Sequence, residues 1–332
     1  IIYSPIETSE NTEWTYIEPG SPRTSACQWS CPENYQKVWD NCELIDTSNI
    51  AYLKEWQYIH NKMKSLAWSS SIQHFRMSNN LPNNTSISIE EIQTDNSPKK
   101  VYIWYDNGTI YYYTDANIIY LNPKSSNIFN SFIDIEDIET TKWNTSKVTD
   151  MSHMFYGCRK LTNLDVSKRN TSKVRTMESM FHTCMNLTSI DVSNWNTSNV
   201  TDMSYIFIQC DKLTNLDVSK RDTSKATTMV QMFGNCPNLI NLDVSNFNTS
   251  NVTDMTYMFA WSKKLTNLDV SKWNTSKVTS MYGMFNNCKN LTTLDLSNWD
   301  TSKVTAIEKM FGSCDNLKTI YTSEKFVTNN DS

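Results

Sequence analysis

The sequence predicts an α/β solenoid of seven 26-residue units over 143–324. An α+β cap over 48–142 and a polar, cysteine-containing N-terminal segment over 1–47 precede it, and a tail over 325–332 follows. Three observations carry this expectation. Six of the nine cysteines, Cys158, Cys184, Cys210, Cys236, Cys288 and Cys314, lie at spacings of 26, 26, 26, 52 and 26, with Ser262 in the skipped place. In the same register stand Phe155, Phe181, Phe207, Phe233, Phe259, Phe285 and Phe311, and the leucines from Leu161 to Leu317. A fixed period of this length marks a repeat architecture. Glycine, finally, is scarce: six in 332 residues, against ~7 % in ordinary proteins. No two glycines lie within twenty residues of each other, which excludes the glycine-paired signatures of dinucleotide binding, phosphate loops and serine nucleophile elbows.

The shared unit reads W-N-T-S-K-V-T-D-M-S-x-M-F-x-x-C-x-x-L-T-x-L-D-V-S-x. In L-T-x-L-D-V-S, period two sends Leu164 and Val166 to one face and Asp165 and Ser167 to the other, as in a strand. Val148, Met151, Met154, Phe155 and Cys158 recur at three and four, which predicts a short helical turn with one buried stripe and Thr149 as its N-cap. One unit alone buries too little to offset the backbone entropy of its residues, so the units are expected to fold only when stacked. Phe129, Ile135 and Ile138 stand 26 residues before Phe155, Leu161 and Leu164, which extends the register upstream as a degenerate half-unit over 126–142. A 52-residue periodicity lies on top: Asp150, Asp202 and Asp254 alternate with Thr176 and Thr228.

The pattern M-F-x-x-C-x-x-L-T-x-L-D-V-S-x-W-N-T-S-x-V-T-x-M resembles the BspA-like class of leucine-rich repeats, over 143–324. The stretch Val101–Thr114 is similar to the segment that often precedes such arrays. The resemblance implies a parallel-strand solenoid on a surface protein that adheres or binds partners, and it brings no catalytic residues with it.

Upstream, Leu53, Trp56, Ile59, Met63 and Leu66 predict an amphipathic helix over 49–67, and alternation predicts a strand over 86–93. Asn107-Gly108 between aromatic-rich stretches predicts a hairpin. Cys27, Cys31 and Cys42 with Trp29, Tyr35 and Trp39 resemble a small extracellular disulfide module. A Cys31–Cys42 bridge leaves Cys27 to pair upstream or with another chain; the alternative is that all three are reduced. Residues 1–142 carry 10 basic and 18 acidic groups, and 143–332 carry 20 and 17. The last unit departs from the pattern at Ile307, Tyr321 and Thr322, which suits either a C-terminal cap or a docking surface.

Candidate sites each have a bland reading beside the functional one. The array cysteines are expected to be buried, unreactive thiols rather than disulfides or zinc ligands. Position one of the units reads Trp143, Arg169, Trp195, Arg221, Phe247, Trp273 and Trp299. Tolerance of both tryptophan and arginine predicts partial exposure, with rings and guanidinium groups alternating in a cation–π column. That column is either a lid over the edge of the array or an aromatic track for ligands. Asp165, Asp191, Asp217, Asp243, Asp269 and Asp295 form an outward ladder, to be balanced by serine and threonine hydroxyls or, alternatively, by calcium. Positions that vary among units, such as His153, Tyr205 and Tyr257, or Tyr156 and His182, are expected to be exposed, to hold partner specificity or simply to drift. His182 near Cys184 has no third orienting group and should not form a nucleophile–base pair. Asn144, Asn170, Asn196, Asn248 and Asn274 begin N-T-S and act as turn residues or as glycosylation acceptors.

The chain is therefore expected to be a non-enzymatic extracellular or cell-surface protein that binds a protein or glycan without a cofactor or metal. The alternative is a structural subunit of a surface filament or layer that self-associates through its N-terminal segment and array ends. The net charge of −5 does not suggest nucleic acid, and no apolar run approaches the ~18 residues of a membrane span. Starting at Ile1 without a signal peptide, the sequence is expected to be a processed product or a fragment of a longer precursor.

Overall fold

The computed structural model describes residues 3–8, 11–16, 35–38, 41–44 and 46–328. The chain divides into two compact units, Ile1–Asp46 and Thr47–Ser332. The first unit contains two antiparallel pairs: β1 (Tyr3–Thr8) with β2 (Asn11–Tyr16), and β3 (Tyr35–Val38) with β4 (Asn41–Leu44). Cys42 lies on β4, while Cys27 and Cys31 fall outside the described residues.

In the second unit a 3-10 turn, Thr47–Asn49, leads into β5 (Ile50–Tyr52) and then α1 (Trp56–Leu66). The helix buries Ile59 and Met63, four apart as in the predicted stripe, together with His60, but it starts later than expected because 50–52 pair as a strand. A five-stranded sheet follows, built from β6 (His74–Met77), β7 (Ile89–Glu91), β8 (Tyr102–Asp106), β9 (Thr109–Tyr113) and β11 (Asp137–Ile138), in the order β11-β6-β9-β8-β7. Asn107 and Gly108 both have positive φ, 40° and 83°, as a tight two-residue hairpin between β8 and β9 requires. Beside it β10 (Ile118–Tyr120) pairs in parallel with β5 and with β12 (Trp143–Asn144).

The repeats do not form the expected α/β solenoid. Among the described residues α1 is the one α-helix, and the chain is otherwise strands, several small sheets and turns. Within the repeats the named strands are β12, β13 (Thr293–Leu296) and β14 (Thr319–Thr322). The reason lies in two left-handed residues per unit. His153, Ser179, Tyr205, Gln231, Tyr257, Gly283 and Lys309 occupy one such place, with φ between 49° and 61°. Gly157, Thr183, Gln209, Asn235, Trp261, Asn287 and Ser313 occupy the other. A left-handed residue cannot continue a right-handed helix. It serves instead as the third residue of a turn: Met154 N–H bonds the Met151 carbonyl, and Cys158 N–H bonds that of Phe155. Spacings of three and four, which suggested a helix, are equally the spacings of turns in tandem.

The units hold one another through the backbone. Amides of Met151, His153, Phe155 and Gly157 donate to carbonyls of Thr176, Glu178, Met180 and His182, at 2.8–3.1 Å, and the next units repeat the pattern. Parallel bridges join Asp150 to Thr176, Thr176 to Asp202, and so on to Ala306. Inside, eight phenylalanine rings from Phe129 to Phe311 stack in one column, with centroids 5.4–6.1 Å apart and nearly parallel planes. Phe129 also stacks on Trp143 and meets Phe75 edge-on, so the core of the cap is continuous with that of the repeats.

A left-handed backbone costs an ordinary L-residue roughly 1–2 kcal/mol that glycine largely escapes. Ser313 is exposed at φ 55°. Ser313→Gly is expected to raise the urea midpoint slightly, a gain of under ~1 kcal/mol because glycine also loosens the unfolded chain. Gly157→Ala, at φ 71°, is expected to lower it.

Candidate functional site

Position one of the units is interior, which corrects its expected exposure. Trp143, Trp195, Phe247, Trp273 and Trp299 are buried, Arg221 is buried and Arg169 is half-buried. The indole N–H groups of Trp195, Trp273 and Trp299 donate to the carbonyls of Val166, Val244 and Val270 at 3.0–3.1 Å. The arginines fit because backbone carbonyls receive their guanidinium groups. Arg169 Nη1 donates to Trp143 O at 2.6 Å and Arg221 Nη1 to Trp195 O. Two small cavities of about 20 Å³ lie in this layer, one between Trp143, Phe155, Arg169 and Trp195 and the other beside Arg221. Each is the size of a water site rather than of a ligand.

The aspartate ladder is exposed at Asp165, Asp191, Asp217, Asp243, Asp269 and Asp295. Each Oδ1 accepts the backbone amide of the serine two residues on, at 2.9–3.1 Å. At Asp165, Asp191, Asp217, Asp243 and Asp269 the serine hydroxyl donates to it as well, at 2.6–2.7 Å. These bonds hold Asp165, Asp191, Asp217, Asp243 and Asp295 below their ordinary value of 3.8, while neighbouring Asp165 and Asp217 push Asp191 the other way. Among the described residues no group of three or more His, Cys, Asp or Glu is placed to hold a metal ion. A depressed folded-state value stabilises the fold above the unfolded-state value and is lost as pH falls through it. The thermal midpoint is therefore expected to drop as pH falls below about 3.8, and Ser167→Ala with Ser193→Ala should flatten that dependence when followed by circular dichroism.

The cysteine column faces inward. Sγ of Cys158, Cys184, Cys210, Cys236, Cys288 and Cys314 donates to the phenylalanine carbonyl 29 residues earlier, at 2.9–3.3 Å. The Ser262 hydroxyl makes the same bond to Phe233 at 2.7 Å, so the place selects a small X–H donor as well as a small volume. Burial raises each of the six thiols above its ordinary value of 9.0. Cys184 is thus turned away from solvent and does not make a reacting pair with His182. The N-T-S asparagines act in turns: Oδ1 of Asn144, Asn170, Asn196, Asn248 and Asn274 accepts the amide of the serine two residues on.

The surface with chemistry on it is the turn face, at the varying positions. Half-exposed rings meet there in two clusters. His153, Tyr156, His182 and Tyr205 form the first, with centroids 5.5, 4.7 and 6.3 Å apart in sequence. Tyr257, Trp261 and Tyr282 form the second, Tyr257 lying 5.1 Å from each of the other two. His153, Tyr205, Tyr257 and Trp261 all occupy left-handed positions, an uncommon place for bulky side chains. Burial, then the charges of Asp254, Glu178 and Asp202, raise the Tyr205 hydroxyl; burial, then His153, lowers His182. The hydroxyl of Tyr257 and the ammonium of Lys309 lower the Tyr282 hydroxyl. The varying columns were visible in the sequence, but Trp261 and Tyr282 escaped it because each is the one ring in its column.

Fold and surface together define a β-rich repeat protein that displays aromatic side chains on a hydrogen-bonded frame. The DUF285 family, described as Mycoplasma protein of unknown function, matches residues 124–241 and again 237–330, and the chain belongs to this family. Neither the curated proteins nor the solved structures give a match. Among the described residues no helix is long and apolar enough to cross a membrane.

Proposed function

We propose that the chain is a non-enzymatic cell-surface protein that binds an extracellular protein or glycan on the turn face of its repeats. One observation carries this reading. Seven half-exposed aromatic side chains stand in two contacting clusters, four of them on backbone positions that glycine would occupy at lower cost. Selection for stability alone gives no reason to keep tryptophan or tyrosine there, whereas rigid aromatic groups supply contact area with little entropy to lose on binding. The motif resemblance to BspA-like surface proteins supports the same reading. Repetition adds avidity, since weak contacts at both clusters multiply.

The test is a screen of the whole chain on glycan and extracellular-protein arrays, with Tyr156→Ala/Tyr205→Asn for the first cluster and Trp261→Asn for the second beside the wild type. Ligands bound by the wild type and lost or weakened in either variant support the reading. Silence on both arrays, or binding indifferent to removal of rings in both clusters, overturns it.

A further inference from the structure

The two aromatic clusters differ in their charge. Tyr205, in the first, lies in the field of Asp254, Glu178 and Asp202. The second is set among cations. Lys309 Nζ stands 5.9 Å from the Tyr282 ring centroid, and Lys263 and Lys264, both exposed, lie two and three residues after Trp261. Glu308 is the carboxylate that acts on Tyr282. Lys289 is neutralised by Asp315 at 3.2 Å.

The rings of this cluster are held in place. A Cβ on Gly283 would come within 2.2 Å of the Tyr257 ring, so the ring lies across a residue whose missing side chain makes its room. Tyr282 meets that ring at 87° and Trp261 at 35°. Fixed ring faces with ammonium groups close by match two groups of an acidic sugar: C–H faces and a carboxylate.

We propose that the cluster of Tyr257, Trp261 and Tyr282, with Lys263, Lys264 and Lys309, binds a carboxylate-bearing sugar residue of an extracellular glycan. The proposal rests on the surface-binding reading above and names its ligand class. The sugar ring stacks on Trp261 and Tyr257, and the lysines take the carboxylate.

The experiment titrates the whole chain with 3′-sialyllactose, a hyaluronan hexasaccharide and neutral lactose by calorimetry. Trp261→Asn removes the ring and keeps the backbone, because asparagine already holds the equivalent left-handed positions 235 and 287. Binding of at least one acidic saccharide, with lactose weaker by about tenfold or more, is expected. Both Trp261→Asn and Lys309→Glu should weaken that binding by about tenfold or more. No acidic saccharide bound, lactose bound equally, or a tight acidic ligand unaffected by Trp261→Asn each overturns the proposal. Should these arms fail while array ligands still depend on Tyr156 and Tyr205, the surface-binding reading stands and only the ligand assignment falls.

Discussion

Phe233→Ala is expected to destabilise the second unit by about 3–5 kcal/mol, the range for emptying a buried aromatic site. Phe233 is fully buried in mid-column, with Phe207 6.1 Å away on one side and Phe259 5.9 Å away on the other. The substitution removes both stacks and leaves a hole that the hydrogen-bonded turns around it are too constrained to close. Phe311→Ala, at the end of the column, removes one stack from a ring that is only partly buried, and its cost should be well below that of Phe233→Ala. Urea unfolding followed by circular dichroism measures both. Equal losses at the two positions would contradict a column whose stability comes from neighbours on each side.

The second large effect is in thiol reactivity. Cys158, Cys184, Cys210, Cys236 and Cys288 are buried, and burial pushes Cys236 up to about 12. The thiolate is the reactive form, so these five should resist iodoacetamide at neutral pH on the timescale over which the unfolded chain is fully labelled. Cys314, half-buried in the last unit, should be the first of the six to react. Peptide mapping by mass spectrometry reads each site separately. Rapid labelling of Cys210 in the folded chain would be incompatible with the inward column. Cys210→Ser should be far milder than Cys210→Ala, since Ser262 shows a hydroxyl serving the Phe233 carbonyl in the same role.

Much of the interior was legible in the sequence, because burial follows residue type at a fixed period. The phenylalanine, leucine, methionine and cysteine columns are inside, save that Phe311, Cys314 and Leu317 of the last unit are only partly buried, and the Asn107-Gly108 hairpin lies where those two residues predicted it. The local backbone was not legible. The left-handed places hold His, Ser, Tyr, Gln, Lys, Thr, Asn and Trp besides two glycines, so no residue type announces them. What fixes them is the ladder between units, a contact 25 residues away that no local window contains. Position one misled for a similar reason. Arginine reads as exposed until the carbonyls of Trp143 and Trp195 are seen to receive it. The glycine scarcity is explained in the same way: turns that normally ask for glycine are imposed here from outside the turn.

The same ladder has a mechanical consequence. Its bonds join each unit only to its neighbours, so tension applied through the two ends of the repeat stack loads the interfaces in series. A terminal unit can give way while the rest stays intact. Each release frees 26 residues, roughly 90 Å of extended chain. A chain built in this way would yield to traction in evenly spaced steps, lengthening under load.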